Sequence, residues 1–259
     1  MSIVIAISNQ KGGVAKTTTC VSLGAALVEK GHETLLVDLD PQANLTLGLG
    51  INPSGLRRSV ADILMGNETP VAVSRETAVP GLDIIPANAD LRMVDQFLYV
   101  REDHEHLLRQ ALARAKQYDF VLCDCPPSLG SLTLNALTAA ELLFIPTQPE
   151  YYSAHGLKEV IDLVTKVRET TNPRLSFRVL VTMFDRRNRV HHNLLAQIRG
   201  AFGDAVMRTV IEIDTKLRES PIFGQPVTMY APSSRAAEQY RALAKELRHY
   251  ARQKAAQAA

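Results

Sequence analysis

Two lysines, Lys11 and Lys16, stand five residues apart in a short polar stretch that also contains Gly12 and Gly13. Lysine ammonium groups and the backbone N–H groups of a glycine-rich turn are groups that proteins use to bind phosphate. Thr17 follows Lys16 directly, and a hydroxyl at that place can occupy one position on Mg²⁺. The stretch therefore predicts a loop that holds a polyphosphate and its magnesium ion.

This candidate phosphate loop, residues 9–17, lies between a predicted strand and a predicted helix. The apolar run Ile3–Ile7 is typical of a buried parallel strand, and apolar residues between positions 20 and 28 recur at helical spacing. A loop in this context presents its N–H groups and the helix dipole to an anion. The expected nucleotide contacts in the loop are Gly12, Gly13, Val14, Ala15, Lys16, Thr17 and Thr18. The alternative, a lysine-bearing turn without a ligand, is disfavoured by the strand and helix on either side.

The usual phosphate-loop motif has a glycine six residues before its lysine and another immediately before it. This chain has Gln10 and Ala15 at those places. An alanine in the left-handed conformation costs roughly 1–2 kcal/mol. If Ala15 must adopt that conformation, we expect the hydrolysis rate to be affected more than nucleotide binding.

Aspartates stand at the ends of two further predicted strands. The apolar run 34–40 ends in Asp38 and Asp40, and the run 118–124 ends in Asp124. Ligands of open α/β sheets bind beyond the carboxyl ends of the strands, so these side chains should lie near the phosphate loop. A carboxylate at that place can hold Mg²⁺ through water, which is the role expected for Asp124. For Asp38, capping of the next segment is an open alternative.

Four separated segments together resemble the ParA/MinD family of ATPases. They are the lead-in Asn9-Gln10-Lys11 with Lys16-Thr17, the run Asp38-Leu39-Asp40-Pro41-Gln42, the turn Asp124-Cys125-Pro126-Pro127, and Gln148-Pro149-Glu150-Tyr151-Tyr152 with Gly156-Leu157. The Asn-Gln lead-in is similar to the ParA/Soj branch in particular. The resemblance extends over nearly the whole chain and implies an ATPase that uses ATP and Mg²⁺.

The resemblance also implies roles for individual residues. Lys11 would reach across a dimer to the partner's nucleotide, Lys16 would bind the phosphates, and Asp40 would position the attacking water. The candidate ligands of the magnesium shell are then Thr17, Asp38 and Asp124. The family pattern has a glycine where this chain has Ala15.

The same resemblance predicts a dimer interface beside the nucleotide. The residues expected there are Lys11, Gly12, Gln148, Glu150 and Tyr151. Helix capping and aromatic packing are the alternative explanation for the segment that begins at Gln148, and they account for at least one of its two tyrosines.

The C-terminal third of the chain is basic. Residues 172–259 carry 15 Lys and Arg against 7 Asp and Glu, although the whole chain has a net charge of only +2. A basic surface suits a polyanion, although solvated helices without a partner would have the same composition. In ParA relatives this region approaches the adenine and contacts DNA, which implies Asp214 as a nucleotide contact. The DNA-binding candidates are Arg186, Arg187, Arg189, Lys216 and Arg218.

One family feature is missing from this region. The family has Pro-Arg-Asn where this chain has Glu212-Ile213-Asp214, and a companion arginine is replaced by Lys216. The resemblance therefore transfers the DNA contacts only in part. Because contacts to phosphates do not distinguish base sequences, we expect non-specific, salt-dependent binding to double-stranded DNA.

Length and composition favour one α/β domain that spans residues 1–259. The predicted fold is a doubly wound, mostly parallel sheet with helices on both faces. No run approaches the roughly 20 apolar residues of a membrane span, and a first strand that begins by Ile3 leaves no room for a signal peptide. The three cysteines have no metal-ligand spacing, so we expect small buried side chains in a reduced, cytoplasmic protein.

Hydrophobic patterns predict the remaining elements. Further strands are expected at 82–86, 142–147, 177–184 and 206–213, and helices at 59–65, from 88, at 104–116, from 148 to about 168, at 190–202 and from 233 to about 252. Residues 50–80 are otherwise expected to be irregular. His104 and His106 stand two residues apart, so they are expected to be surface histidines and not metal ligands.

Together these features predict a nucleoid-associated partitioning ATPase. An ATP-bound sandwich dimer would bind DNA, hydrolysis would release it, and a ParB-type partner would accelerate hydrolysis. Three alternatives stay open: ParA-like positioning of another cargo, such as a protein cluster or microcompartment; a MinD-like membrane-cycling regulator; and an ATP-dependent amide-forming ligase or iron–sulfur carrier. A membrane partner is not expected, because no bulky apolar residue follows Tyr250.

Overall fold

The fold is given by a computed structural model that describes residues 2–150 and 153–258, and their side chains except those of 153–156 and 249–258. The described strands form one seven-stranded sheet in the order β3-β4-β2-β5-β1-β6-β7. They are β1 (Ile3–Ile7), β2 (Thr34–Asp38), β3 (Arg75–Glu76), β4 (Leu82–Ile85), β5 (Phe120–Asp124), β6 (Leu142–Thr147) and β7 (Ser176–Val181). Only β3 runs antiparallel to its neighbour in this described sheet, so the predicted mostly parallel sheet is confirmed.

Helices connect the parallel strands. They are α1 (Lys16–Val28), α2 (Asn44–Gly48), α3 (Val60–Met65), α4 (Pro70–Val73), α5 (Asp90–Leu98), α6 (Leu107–Leu112), α7 (Ser131–Ala139), α8 (Ser153–Thr170), α9 (Arg189–Phe202), α10 (Lys216–Glu219), α11 (Val227–Tyr230) and α12 (Arg235–Ala258). Short 3₁₀ turns stand at Pro53–Gly55, His104–His106, Gly203–Ala205 and Ser220–Phe223. Among the described residues, no helix is both long enough and apolar enough to cross a membrane.

The helices form two layers, one on each face of the sheet. On one face, α1 and α12 pack against Ile5 and Ile7 of β1. On the other face, Ala6 points into a core that includes the apolar sides of α3, α5, α6, α7 and α8. Because alternate residues of a strand face opposite sides, both faces of these strands must be apolar. The continuous apolar runs in the sequence are the consequence.

The prediction of a strand at 206–213 is wrong. Its ends run beside β7, where Met207 N donates to Val179 O (2.8 Å) and Ile211 N donates to Val181 O (2.9 Å). The four-residue step from Met207 to Ile211 thus faces only a two-residue step along β7, from Val179 to Val181. No continuous ladder of hydrogen bonds forms between the two segments.

A side chain of the last helix replaces the lost ladder bonds. The Glu246 carboxylate accepts the backbone N–H groups of Arg208 (2.7 Å) and Thr209 (3.0 Å). A buried or half-buried N–H needs an acceptor, and this carboxylate supplies it without a strand partner. Hydropathy alone cannot predict that competition.

The helix predicted at 104–116 is shorter than expected. Asp103 has a left-handed backbone (φ 54°), a 3₁₀ turn follows it, and α6 ends at Leu112. The segment expected to be irregular also contains α4 and the edge strand β3. The prediction that the cysteine side chains are buried is confirmed for Cys20, Cys123 and Cys125.

Candidate functional site

The phosphate loop joins β1 to α1 at the carboxyl edge of the sheet. Asn9 holds its first half: Nδ2 donates to Pro146 O (2.7 Å), and Oδ1 accepts from Lys11 N (3.0 Å). Further along, Gln148 Nε2 donates to Gly13 O (2.8 Å). The end of β6 and the residue that follows it therefore anchor the loop on one side.

The N–H groups of the same loop remain available. Within the described part of the chain, the backbone N–H groups of residues 12–17 have no protein acceptor. Gly13 and Ala15 both have left-handed backbones, with φ of 73° and 65°. Ala15 is the N-cap of α1, and its conformation costs roughly 1–2 kcal/mol. A loop with uncommitted N–H groups at a helix N-terminus is suited to an anion.

Lys16 lies at the base of this loop. Its side chain is buried, and Nζ donates to Lys11 O (3.2 Å). Burial lowers the pKa of Lys16, while the neighbouring Asp124, Cys125 and Asp40 act in the opposite direction. An ammonium that has lost part of its hydration gains more from an incoming phosphate than an exposed one would.

Thr17, at the start of α1, and Asp124, at the end of β5, are neighbours of Lys16. Thr17 Oγ1 donates to Asp124 Oδ2 (2.6 Å), while Asp124 Oδ1 is buried and has no partner in the described structure. Burial raises the pKa of Asp124 well above its usual range, and the nearby charge of Asp38 raises it further. An unpartnered carboxylate oxygen beside a hydroxyl is a fitting place for a hard cation.

These two residues therefore fit the magnesium site that the sequence predicts. The described residues contain no group of three or more His, Cys, Asp or Glu side chains that could hold a metal. Mg²⁺ usually takes one or two protein oxygens and leaves its other positions to phosphate and water.

Asp38 makes different contacts from Asp124. Its Oδ1 accepts from Asp40 N (3.1 Å), and its Oδ2 accepts from Thr46 N (2.9 Å) and Thr46 Oγ1 (2.6 Å). Burial raises the pKa of Asp38 to about 6, although the hydrogen bonds from Thr46 and Asp40 oppose this shift. The carboxylate thus fixes the loop that carries Asp40, which is the capping role left open above. A place for Asp38 in the magnesium shell stays a prediction.

Asp40 lies at the edge of a cleft. Its side chain is mostly buried, and Oδ1 accepts from Gln42 N (2.9 Å). The cleft has a volume of about 450 Å³ and unites parts of the chain that are far apart in sequence. Its lining comprises Gly12, Gly13, Ala15, Lys16, Thr17, Thr18, Asp40, Gln42, Asn44, Pro127, Met183, Ile211, Glu212, Ile213, Asp214, Leu217 and Arg218. Most of the predicted nucleotide contacts thus share one cleft.

Asp214 lies at the apolar end of the cleft. Its Oδ1 accepts from Lys216 N (3.0 Å) and its Oδ2 from Ala236 N (3.2 Å). The carboxylate therefore caps α10 and the start of α12 while it lines the cleft. The neighbouring side chains of Ile211 and Leu217 give this end an apolar wall.

Lys11 points to a residue of its own chain. Its ammonium group donates to the Glu150 carboxylate, and both side chains are largely exposed. Lys11 and Gln148 thus contact Glu150 and the phosphate loop, of which Gly12 lines the cleft, whereas Tyr151 lies outside the described residues. The family resemblance predicts all five at a dimer interface, and that stays a prediction for a single chain.

The basic candidates belong to two segments that the fold brings together. Ile213 N donates to Phe184 O (3.1 Å), which places the loop 185–189 beside residues 212–218. Buried Glu212 lies between two arginines, accepting from Arg186 Nε (2.6 Å) and pairing with Arg235 (3.1 Å).

The five basic candidates differ in their ion pairs. Arg187 pairs with Asp185 (3.2 Å), and Lys216 donates to Glu219 (2.7 Å). In the described structure no ion pair is found for Arg189 or Arg218, both of which are exposed. The last two are therefore the least neutralised of the predicted DNA contacts.

Two further residues support the site and were not predicted. Thr46 donates to Asp38 and accepts from Ala87 N (3.0 Å), so it links two loops at the sheet edge. Arg235 reaches Glu212 from the start of α12. Neither has a local sequence signal, because each contact joins segments that are distant in the chain.

Comparisons with known proteins agree with this geometry. Residues 2–177 match a family described as "AAA domain". The chain is 42% identical over 260 residues to "Chromosome partitioning protein ParA" of Caulobacter vibrioides (strain NA1000 / CB15N), covering 99% of this chain and 97% of the relative. It is 43% identical over 249 residues to "Sporulation initiation inhibitor protein Soj" of Bacillus subtilis (strain 168), covering 95% and 98%.

A solved structure from Mycobacterium smegmatis is also similar. It is described as cobyrinic acid a,c-diamide synthase with bound ADP and magnesium, and it superposes with a TM-score of 0.85 at 38% identity over 96% of both chains. The same protein with an ATP analog and magnesium superposes equally well, with a TM-score of 0.85.

Proposed function

This chain belongs to the ParA/Soj family of chromosome-partitioning ATPases, and from that premise we propose that it hydrolyses ATP to partition DNA. One observation supports the proposal most strongly. The uncommitted N–H groups of the phosphate loop, the Lys16 ammonium and the unpartnered Asp124 oxygen all lie in or beside one cleft.

ATP would bind with its phosphates on the loop and its base at the apolar end of the cleft, near Asp214. Thr17 and Asp124 would hold Mg²⁺, and Asp38 would act indirectly by fixing the Asp40 loop. When bound, Mg²⁺ neutralises charge on the phosphates. Asp40, held by Gln42 N, would orient the attacking water and accept its proton.

Catalysis here is mainly a matter of position and electrostatics. Lys16 would neutralise charge that develops on the transferred phosphate. Lys11 would do the same for the nucleotide of a second subunit, after leaving Glu150. ATP would thus favour a sandwich dimer, in which the two Lys11 residues cross the interface.

The dimer would bind double-stranded DNA through the basic surface that carries Arg186, Arg187, Arg189, Lys216 and Arg218. Two copies double the number of phosphate contacts, and affinity rises steeply with that number. Hydrolysis would separate the subunits and release DNA. A ParB-type partner would accelerate this step, and the ATP-bound protein would be found on the nucleoid.

Two variants test this function. Lys16→Ala should lose ATP binding by at least about tenfold, because the phosphates lose a buried cation. Asp40→Ala should bind ATP normally, hydrolyse it at least about 100-fold more slowly, and stay dimeric on DNA. Lys30→Ala, which removes an exposed lysine from the end of α1, is the matched control. Unchanged ATP affinity in Lys16→Ala, or normal turnover in Asp40→Ala, would refute the assignment.

The similarity to the Mycobacterium smegmatis cobyrinic acid a,c-diamide synthase favours a second candidate, ATP-dependent amide formation. Enzymes that take ammonia from glutamine commonly use an accessible thiolate. Here burial raises the pKa of Cys123 to about 12, and Cys20 and Cys125 are equally inaccessible. Within this chain the described cysteines are therefore unsuited to glutamine hydrolysis. ATP consumption that requires both cobyrinic acid and ammonia would support the second candidate.

A further inference from the structure

Helix α5 presents large apolar side chains to solvent. Met93 and Phe97 are each 57% exposed, and Val100, which follows the end of the helix, is 82% exposed. The backbone continues helically past α5, since Val100 N donates to Phe97 O (3.3 Å). The three side chains therefore lie along one face at helical spacing. We call these three residues the α5 patch.

The patch is not an extension of the core. Leu91, Val94 and Leu98 of the same helix are buried among the residues that cover the sheet. Each residue turns a helix by about 100°, which places this buried set and the α5 patch on different faces, roughly 125° apart. Exposed rows of large apolar side chains on a helix commonly mark a surface for another protein.

The charges around the patch indicate what kind of partner fits. Residues 90–105 contain five acidic residues and only two arginines. Arg101 donates to Leu64 O (3.0 Å), which directs its guanidinium to the end of α3. Glu102 and Asp103 follow Arg101 directly and are exposed. An apolar face followed by exposed carboxylates is complementary to a segment that carries apolar and basic side chains.

The α5 patch is also connected by hydrogen bonds to the loop that follows Asp124. Between Phe97 and Val100, the Tyr99 hydroxyl accepts from Ser131 N (3.1 Å) at the start of α7. Thr133 of α7 donates in turn to Ser128 O (2.6 Å), and the neighbouring Pro127 lines the nucleotide cleft. A partner bound at the α5 patch would thus be linked, through Tyr99 and α7, to the loop that follows Asp124.

We propose that the α5 patch is the docking surface for a basic amphipathic segment of the partner protein that stimulates ATP hydrolysis. This inference rests on the proposed function, because it identifies where the stimulating partner acts. The other conceivable occupant is a second copy of the chain, and the test treats self-association as a separate outcome.

The experiment uses the ParB-type protein encoded nearest to this chain's gene as the probe. Phe97→Ser with Val100→Ser should weaken its binding by at least about tenfold and remove most of the stimulated ATP turnover. Basal turnover and ATP-dependent dimerisation should not change, because neither residue lines the cleft. Ile222→Ser is the matched control, since Ile222 is 79% exposed on the turn Ser220–Phe223.

A second variant tests the charge argument. Glu102→Lys should weaken partner binding about threefold to tenfold at low salt, and this difference should shrink at about 0.5 M salt. Wild-type affinity in both variants would overturn the proposal. Equal weakening by Ile222→Ser would do the same.

Two further outcomes separate the two proposals. If Phe97→Ser with Val100→Ser loses dimerisation in the absence of partner, a second copy covers the patch and the docking proposal is wrong. If the wild-type chain hydrolyses ATP but does not bind the ParB-type protein, the docking proposal fails while the ATPase assignment stands. A wild-type chain that does not hydrolyse ATP would instead contradict the proposed function.

Discussion

Asp38 and Asp124 end adjacent strands in register, yet their carboxylates have different surroundings. The Asp38 carboxylate accepts three protein hydrogen bonds, whereas one oxygen of Asp124 has no described partner. At the scale of single residues, this difference separates a group that positions a loop from one that is open to a ligand. Residue type and strand position are the same for both, so only their neighbours distinguish them.

Asp38 should make stability depend on pH. Its pKa is raised from 3.8 to about 6 in the folded chain, so the folded state holds this proton more tightly than the unfolded state. Its contribution to stability is therefore full below about pH 4 and is lost as pH rises through about 6. For Asp38→Asn, the free energy of unfolding relative to wild type should increase by about 2 kcal/mol between pH 4 and pH 7.

Urea denaturation of both proteins at matched pH values measures this difference. All other titrating groups occur in both chains, so their contributions largely cancel in the comparison. A difference that stays constant from pH 4 to pH 7 would show that Asp38 does not titrate in this range.

The left-handed backbone of Ala15 should lower the free energy of unfolding. Its φ of 65° is costly for alanine, while glycine adopts it readily but gains more entropy on unfolding. Ala15→Gly should therefore raise the free energy of unfolding by up to about 1 kcal/mol. Ala43→Gly, at φ 54°, should change stability in the same direction. Chemical denaturation checks both, and a clear loss of stability in Ala15→Gly would contradict the strain argument.

At the scale of elements, the basic surface depends on a segment that has no regular ladder. Residues 206–214 touch β7 at two places and are held by Glu246 of α12 between them. Glu212 then ties the loop after β7 to the start of α12 through two arginines. This arrangement brings basic residues from three parts of the chain to one surface beside the nucleotide cleft.

The basic residues on this surface should not contribute equally to DNA binding. Lys216 is already paired with Glu219, whereas Arg218 has no ion pair in the described structure. Arg218→Ala should therefore weaken ATP-dependent DNA retention more than Lys216→Ala, by about threefold to tenfold at about 0.1 M salt. Fluorescence anisotropy over a salt series measures both. Because the proposed dimer carries two copies of Arg218, Arg218→Ala should also lower the salt slope by about two.

The control for this comparison is ATP affinity, because Arg218 also lines the cleft. If Arg218→Ala weakens ATP binding as much as DNA retention, the loss belongs to the nucleotide site. A Lys216→Ala variant that loses more DNA affinity than Arg218→Ala would contradict the ion-pair argument.

At the scale of the whole molecule, the proposed dimer would complete the set of charges around each nucleotide. Lys11, which directly precedes the cleft-lining Gly12, pairs with Glu150 of its own chain. The pair is exposed, so its net contribution to stability is small, on the order of 0–1 kcal/mol. A nucleotide of a second subunit is a stronger partner for Lys11, and the exchange of partners would accompany dimerisation.

Lys11 should therefore decide the oligomeric state. In an Asp40→Ala background, which blocks turnover, the protein should sediment as a dimer with ATP. Adding Lys11→Ala should leave it a single subunit while ATP affinity changes less than about threefold, because Lys11 acts on the partner's nucleotide. Adding Lys30→Ala instead should leave the dimer intact. A Lys11→Ala protein that still forms dimers would refute the role of Lys11 across the interface.

Local sequence patterns were sufficient for much of the fold. The runs that became β1, β2, β5 and β6 are mainly apolar, apart from polar residues at their ends, because both faces of a parallel sheet are covered. The helix after the phosphate loop and the last helix also follow from spacing alone. The predicted strand at 206–213 failed because the Glu246 carboxylate, from a distant helix, takes its N–H groups.

By itself, the sequence determined the class of fold, the place of the phosphate loop and the strand-end carboxylates, since these depend on local hydrophobicity, turn residues and residue order. The tertiary structure decided what each charged group does. It pairs Lys11 with Glu150, commits Asp38 to Thr46, leaves Asp124 open and gathers Arg186 and Arg235 around Glu212. Those outcomes depend on burial and on contacts between distant segments, and neither is encoded in local spacing.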